Sequence, residues 1–101
     1  MTIELINPPG LYKSPRGGFT QVARIGNLAV LSGQTAQDVD GNVVGRGDPK
    51  AQAEQICQNL ETALAALGAT WANVAHLRVF HTDRAYIDAW REARRAHMGA
   101  H

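Results

Sequence analysis

The dipeptide Gly26-Asn27 is the feature that most constrains the fold, because it separates two runs that each have the pattern of a β-strand. A two-residue connection that begins with glycine is typical of a tight β-hairpin. The second run, 28–31, is entirely apolar, predicts a buried strand, and passes directly into Ser32-Gly33-Gln34. The first run is expected to carry on one face Phe19, Gln21, Ala23 and Ile25.

A long helix is predicted after the hairpin. Asp48 is a suitable N-cap, Pro49 fits the first helical position, and Gly68 is typical of the residue that follows a helix end. Between these signals, apolar residues recur at helical spacing. They are Ala53, Ile56, Leu60, Ala63, Leu64 and Leu67.

The rest of the sequence predicts further short elements. Residues 3–6 and the alternating residues 74–80 are expected to be strands, and Asp83 can cap a second helix. The apolar stripe of that helix is expected to include Ile87, Trp90, Arg94 and His97. A helix that follows a strand normally returns the chain to the sheet, whereas this sequence stops at HMGAH.

Composition limits the classes of protein that need to be considered. A chain of 101 residues suffices for one domain, 1–101, and not for two, and its net charge of +1 does not favour a nucleic-acid partner. No apolar run approaches the roughly 20 residues of a membrane span, and the N-terminus lacks the pattern of a signal peptide. Cys57 is the only cysteine, which excludes an intrachain disulfide. A soluble cytoplasmic protein is expected.

The histidines do not predict a metal site. His76 and His81 are five residues apart on a predicted strand, so their side chains are expected on opposite faces. His97 and His101 are four apart on the second helix, but a glycine interrupts them at its end. No metal is therefore expected.

Three other residues have both a structural and a functional interpretation. Ser32 lacks the surroundings of a nucleophile elbow, and a hydrogen bond to the backbone is its simpler role. Cys57 is expected to be a packed apolar residue rather than a reactive thiolate. Arg91 belongs to a basic group of the second helix that is either solvated or in contact with a carboxylate or another anion.

Several motifs taken together resemble the Rid family, the reactive-intermediate imine and enamine deaminases that are also called YjgF-type proteins. The resemblance extends from about residue 10 to the end of the sequence. Its motifs are a strand ending in Ser32-Gly33-Gln34, a D-x-x-G turn at 38–41, a helix with Gln52, Gln55 and Asn59, the Gly-Ala after it, and RVFHTD at 78–83.

The resemblance implies a chorismate-mutase-like α+β fold, with a mixed sheet and two helices on one face. It also implies a homotrimer with ligand clefts between subunits, and hydrolysis of 2-aminoacrylate-type imines and enamines without a metal or organic cofactor. Ser32 and the Gly33 backbone would contact a small 2-imino or 2-keto acid, since glycine lets an amide approach closely and a hydroxyl can donate or accept. Phe19 would form an apolar wall, and Arg91 would supply positive charge.

The sequence departs from the family pattern in three places. Phe19 replaces the usual cleft tyrosine, and Arg91 replaces an asparagine of the second helix. The carboxylate-binding arginine and the closing strands that follow this helix in the family have no counterpart in the sequence. Two explanations are open: the sequence belongs to a longer chain, which we favour, or it is a short form whose sheet has an unfilled edge.

Three functions therefore stay open. The first is an imine deaminase, which is expected if the complete protein carries the C-terminal arginine. The second is a sensor that binds small carboxylates without turnover, and it follows from the missing tyrosine and arginine. The third is an RNA-directed activity, such as ribonuclease or translation inhibitor, which the low net charge disfavours.

Overall fold

The computed structural model describes residues 2–99 and has the predicted α+β architecture. Three short strands form an antiparallel sheet in the order β1-β2-β3, and two helices follow them. The elements are β1 Glu4–Ile6, β2 Val22–Ile25, β3 Leu28–Leu31, α1 Pro49–Ala66 and α2 Ile87–Met98, with 3₁₀ turns at Trp71–Asn73 and Arg84–Tyr86. None of the described helices has the length and apolar character that a membrane crossing requires.

The predicted hairpin is formed by β2 and β3. Ile25 pairs with Leu28, and Gly26, with φ 57°, is the only residue of the turn in the left-handed region. A two-residue turn with this conformation matches the natural twist of the two strands. The register of the sheet is thereby set by local sequence.

The two faces of the sheet are covered very differently. On one face, Val22 is fully buried in a cluster with Leu11 and Ala63 of α1. Val22 lies on the face opposite Ala23 and Ile25, which were predicted to share one face, and the strand begins at Val22 rather than at Phe19. The other face exposes its apolar side chains, including Val30 at 61%. The prediction of a buried β3 is wrong for this face, because α1 covers only one side of the sheet.

Both ends of α1 form as predicted. The Asp48 carboxylate accepts hydrogen bonds from the backbone N–H groups of Lys50 and Ala51, at 3.1 and 3.2 Å. Pro49 begins the helix, and Gly68, with φ 67°, follows its last turn. Capping satisfies backbone groups that a helix end otherwise leaves unpaired.

The second helix packs along α1. Ala93 and Trp90 of α2 contact Ala53 and Cys57 of α1, and Cys57 is fully buried, as expected for a packed apolar residue. The predicted stripe is correct for Trp90 and His97, but Arg94 is exposed. Position 101, considered above beside His97, lies outside the described residues.

The strand predicted over 74–80 is not formed. The stretch 74–82, called here the 74–82 segment, has no regular secondary structure. Within residues 2–99, positions 75–82 make no backbone–backbone hydrogen bond. A strand is defined by pairing with a neighbour, and alternation in the sequence cannot supply that neighbour.

Candidate functional site

The strand β3 ends at a corner formed by Ser32 and Gly33. The Ser32 backbone N–H donates to the carbonyl oxygen of Gln21 at 2.9 Å, and its hydroxyl donates to the carbonyl oxygen of Thr20. The hydroxyl proton is thus engaged, while the oxygen can still accept a hydrogen bond. Gly33 is exposed, a side chain there would meet nothing within 4 Å, and its N–H donates to no acceptor among the described residues.

Hydrogen-bonded amide side chains hold the Ser32-Gly33 corner in position. Gln21 is 4% exposed, and its side-chain amide donates to the carbonyl oxygen of Tyr12 at 2.6 Å. Its backbone N–H donates to Asn7 Oδ1 at 3.1 Å. Gln34 donates to Gln21 Oε1 at 2.7 Å and to the Ser32 carbonyl oxygen at 3.2 Å. Buried polar groups that are all hydrogen-bonded hold one geometry, because any change leaves a partner unsatisfied.

The loop after the corner is attached to α1 by amide side chains. Asn59, which is buried, donates to the carbonyl oxygens of Gln37 at 3.0 Å and Thr35 at 3.2 Å. Gln52 donates to the carbonyl oxygen of Gly45 at 2.8 Å. The α1 residues Gln52 and Asn59 therefore hydrogen-bond to the loop and hold the Ser32-Gly33 corner in place.

The turn at 38–41 closes that loop. Asp38 accepts hydrogen bonds through one carboxylate oxygen from the N–H groups of Asp40 and Asn42, both at 2.9 Å. Gly41 has φ 85°, and a Cβ there would lie 2.6 Å from the Tyr12 ring. The turn is therefore packed against the segment before β2, with a structural role for Asp38.

The corner opens into a cavity of about 1340 Å³ between β3, α1 and the 74–82 segment. Ser32 and Gly33 line this cavity, whereas Phe19 and Arg91 do not. Phe19 packs against Tyr12, with ring centroids 6.5 Å apart. Arg91 is exposed on α2, 3.9 Å from Asp88. The structure thus brings together two of the four predicted site residues, and the roles of Phe19 and Arg91 stay predictions.

The described lining of the cavity contains basic groups and no aspartate or glutamate. Arg24 donates through Nε to the Gly26 carbonyl oxygen at 3.1 Å. Arg78, on the 74–82 segment, has no hydrogen bond or ion pair within residues 2–99. The guanidinium of Arg78 is therefore available to a carboxylate. Arg78 belongs to the RVFHTD motif at 78–83, but the sequence predicted no role for it.

The surroundings of Cys57 indicate a structural rather than a reactive residue. Burial, assisted by the nearby carboxylates of Glu54 and Glu61, raises the pKa of Cys57 to about 11, so its thiolate is disfavoured at neutral pH. Within residues 2–99, no three histidine, cysteine or acidic side chains are grouped so that they could hold a metal ion.

A charged cluster joins the two helices away from the corner. His97 on α2 lies with Nε2 2.7 Å from a Glu54 oxygen and Nδ1 2.9 Å from a Glu61 oxygen. Trp71 donates its indole N–H to the second oxygen of Glu61 at 3.0 Å. The hydrogen bond with Glu54 is the main cause that raises the pKa of His97. Both ring nitrogens can donate only when the imidazole is protonated.

Comparison with known sequences identifies relatives of the chain. Residues 12–101 match the family model described as Endoribonuclease L-PSP. The chain is 33% identical over 69 residues to a RutC family protein of Sulfurisphaera tokodaii, covering 68% of this chain and 55% of that protein. It is 30% identical over 76 residues to the 2-iminobutanoate/2-iminopropanoate deaminase of Dermatophagoides farinae, covering 75% of this chain and 59% of that one.

Solved structures share the fold over almost the whole chain. RidA from an Antarctic Psychrobacter species superposes with a TM-score of 0.85 at 26% identity, covering 96% of this chain and 77% of its own. A structure from Thermotoga maritima gives a TM-score of 0.87 at 26% identity, with 97% and 76% covered. The alignments with the curated relatives span 53 to 59% of those proteins' length.

Proposed function

The chain belongs to the Endoribonuclease L-PSP family, to which the Rid proteins belong, and on this premise we propose that it hydrolyses small reactive imines at the Ser32-Gly33 corner. The substrate class is the 2-imino acid and its enamine tautomer, of the 2-aminoacrylate type, and the products are a 2-keto acid and ammonia. One observation carries the proposal: the corner opens into a cavity lined by basic groups and, in its described part, by no carboxylate.

The substrate carboxylate fits the unpaired donors of this cavity. The N–H of Gly33 has no acceptor within residues 2–99, and a Cβ built on this glycine would meet no described atom within 4 Å. Arg78 lines the same cavity, and its guanidinium has no ion-pair partner in that part of the chain. A backbone amide and a planar guanidinium together supply directional hydrogen bonds and charge to a carboxylate.

The chemistry needs only water as a second reactant. The oxygen of a water molecule adds to the imine carbon, and a water proton passes to the nitrogen. The hydroxyl proton of the resulting tetrahedral adduct passes to the nitrogen, the C–N bond breaks with its electron pair leaving on ammonia, and the carbon keeps the oxygen as a ketone. The Ser32 hydroxyl, which donates to the Thr20 carbonyl oxygen, would accept through its own oxygen a hydrogen bond from that water.

We propose that the active form is a cytoplasmic homotrimer whose subunits meet on the outward face of the sheet. Four large apolar side chains are between 56 and 65% exposed there and at the adjoining chain start: Ile3, Leu5, Leu28 and Val30. Contiguous apolar surface of this kind marks interaction sites. In such an assembly, Phe19 would be an apolar wall and Arg91 a source of charge at a cleft between subunits.

The test is release of ammonia and keto acid from 2-aminoacrylate generated enzymatically in the presence of the protein. We expect turnover above background, and we expect Arg78→Met to lower kcat/KM by about tenfold or more, as for loss of a charge-assisted contact. Arg46→Met, at an exposed loop residue outside the cavity lining, is the matched control and should retain the wild-type rate. Background rates for folded protein at micromolar concentration would contradict catalysis.

A carboxylate sensor without turnover is the second candidate. It is favoured by the engaged Ser32 hydroxyl and by the position of Phe19 outside the cavity lining. In this case the melting temperature rises with 2-ketobutyrate concentration and goes on rising logarithmically above Kd, while no ammonia is released. Salt-dependent RNA binding with cleavage would instead support the third, RNA-directed function.

A further inference from the structure

We propose that Gln34 is a positioning residue of the candidate site, whose side-chain amide fixes the orientation of the peptide group between Ser32 and Gly33. The role assigned to Gln34 rests on the proposed function, in which the Gly33 N–H receives the carboxylate of the substrate. Gln34 acts through this peptide group rather than through contact with the substrate. The orientation of the peptide group determines whether the corner presents a hydrogen-bond donor or an acceptor to an organic anion.

The side-chain amide of Gln34 makes two hydrogen bonds as a donor. Its Nε2 atom donates to Gln21 Oε1 at 2.7 Å and to the Ser32 carbonyl oxygen at 3.2 Å, and an amide NH₂ group has the two hydrogens that this requires. Gln21 is buried, and its own amide donates to the Tyr12 carbonyl oxygen at 2.6 Å. Gln34 is therefore anchored to a buried residue on one side and holds the Ser32 carbonyl group on the other.

The Ser32 carbonyl oxygen and the Gly33 N–H belong to one planar group. In a trans peptide the C=O and N–H bonds point in opposite directions. Because the Ser32 carbonyl oxygen accepts from Gln34, the Gly33 N–H points away from the Gln34 amide. This N–H has no acceptor within residues 2–99. A hydrogen bond on the carbonyl side of the peptide group thus determines the direction of the free donor on its other side.

The glycine at position 33 does not hold this orientation by itself. Reversal of the peptide group changes ψ of residue 32 and φ of residue 33, and glycine adopts positive and negative φ about equally well. Gly33 is not among the glycines of the described chain with a positive φ, and a Cβ built on it would meet nothing within 4 Å. The observed conformation would therefore accept another residue. Glycine leaves the reversed orientation open, and the hydrogen bond from Gln34 disfavours it.

Reversal of the peptide group would exchange a donor for an acceptor at the candidate site. The Ser32 carbonyl oxygen would then take the place of the Gly33 N–H, and its partial negative charge repels a carboxylate. Since only the orientation with the N–H outward binds an organic anion, the apparent Kd is the intrinsic Kd divided by the fraction of molecules in that orientation. A fall of this fraction to about one tenth raises the apparent Kd about tenfold. Gln34 therefore controls the affinity for the carboxylate.

The first measurement is NMR of the isotope-labelled chain without ligand. Gln34→Met removes both donors at similar side-chain length, and Gln34→Glu keeps the shape but donates nothing when ionised. Gln37→Met is the matched control, because Gln37 is a half-buried amide of the same loop that donates elsewhere, to the Gly41 carbonyl oxygen at 3.3 Å. We expect both Gln34 variants to shift the Ser32 carbonyl carbon and to show a second state of the Gly33 amide by ¹⁵N relaxation dispersion. Wild type and Gln37→Met should show one state.

The second measurement is a titration of the same variants with 2-ketobutyrate. At neutral pH we expect Kd to rise about tenfold for both Gln34 variants and to stay within about twofold for Gln37→Met. Gln34→Glu should regain part of its affinity, relative to wild type at the same pH, when its carboxyl group is protonated on acidification, because a protonated carboxyl donates one hydrogen bond. A role in shape alone would leave Gln34→Glu like wild type at every pH. This variant also keeps the comparison open if Gln34→Met does not fold.

Three outcomes would overturn the role of Gln34. They are a single state of the Gly33 amide in both Gln34 variants, an unchanged Kd in both, and an equal loss of affinity in Gln37→Met, which would indicate general loosening of the loop. Failure of the wild-type chain to bind 2-ketobutyrate would instead contradict the proposed function. The NMR comparison without ligand would still decide whether Gln34 fixes the peptide group, so the two failures are distinguishable.

Discussion

The Nδ2 atom of Asn59 lies 3.0 Å from the carbonyl oxygen of Gln37, and this contact joins the middle of α1 to the loop after the Ser32-Gly33 corner. The same amide reaches Thr35, and Gln55 donates to Asn59 Oδ1 at 2.9 Å. A buried amide that uses both its donor and its acceptor fixes its neighbours. The position of the candidate site thus depends on a helix residue that does not line the cavity.

Replacing Asn59 by alanine should lower the free energy of unfolding by about 2–3 kcal/mol, because two carbonyl oxygens lose their donor in a buried setting. The measurement is urea denaturation followed by circular dichroism. Asn42→Ala is the control, since the Asn42 side chain is exposed and forms no described hydrogen bond, and it should change stability by less than about 0.5 kcal/mol. Equal effects of the two substitutions would contradict this role.

Gly41→Ala and Gly47→Ala form a second matched pair. Both residues have a positive φ, 85° and 70°, so each substitution costs about 1 kcal/mol in backbone strain. Only at Gly41 would the new Cβ meet the Tyr12 ring, at 2.6 Å, whereas the space at Gly47 is open. Gly41→Ala should therefore have the lower melting temperature. If Gly47→Ala were equally destabilised, the contact with Tyr12 would not matter.

The cluster of His97, Glu54 and Glu61 predicts a pH dependence of stability. The hydrogen bond with Glu54 raises the pKa of His97 above its ordinary value of 6.5, so the stabilisation is complete below that pH and is lost as pH rises through the folded-state pKa. The hydrogen bond with His97 lowers the pKa of Glu54 below 4.5, so its stabilisation is present above that pH and is lost on acidification.

His97→Gln should therefore destabilise the protein most between these two limits, by about 1 kcal/mol, since both carboxylates are substantially exposed to solvent. The difference from wild type should shrink above the raised pKa of His97. Denaturation curves over a pH series measure it, and His76→Gln, at an exposed histidine without a described hydrogen bond, is the control. If the difference in free energy of unfolding between wild type and His97→Gln stays constant from pH 5 to pH 9, the stabilisation does not come from protonated His97.

Cys57 should not react with a thiol reagent in the native protein. The side chain is fully buried, and its raised pKa of about 11 leaves little thiolate at neutral pH. The rate of labelling by a disulfide reagent should follow the extent of unfolding as urea is added. Rapid labelling of the folded protein would show that the packing between α1 and α2 opens.

Local chemistry in the sequence predicted the hairpin and both ends of α1 correctly. Gly26, Asp48 and Gly68 each act through their own backbone or through a neighbour within three residues, so their effects are readable without the fold. The predictions of a strand over 74–80 and of a buried outward face of β3 were wrong, because both depend on parts of the fold distant in sequence. A strand needs a hydrogen-bonded neighbour, and burial needs a covering layer, and neither is determined by local alternation.

The candidate site also contains residues that the sequence identified and one that it did not. Ser32 and Gly33 were identified because a strand-end motif resembled a known family, and the structure places both at the cavity. Arg78 was not assigned, because alternation gives only the face of a strand and not the surface that this face meets. The unpaired guanidinium becomes visible only when the 74–82 segment is placed opposite β3.

The most direct test of the central claim is an NMR titration of the isotope-labelled chain with 2-ketobutyrate. We expect the backbone amide resonance of Gly33 and the side-chain Nε resonance of Arg78 to shift together and to saturate, while Arg78→Met weakens the titration and Arg46→Met leaves it unchanged. Unchanged Gly33 and Arg78 resonances at saturating ligand would contradict the assignment of this corner as the site that binds the organic acid.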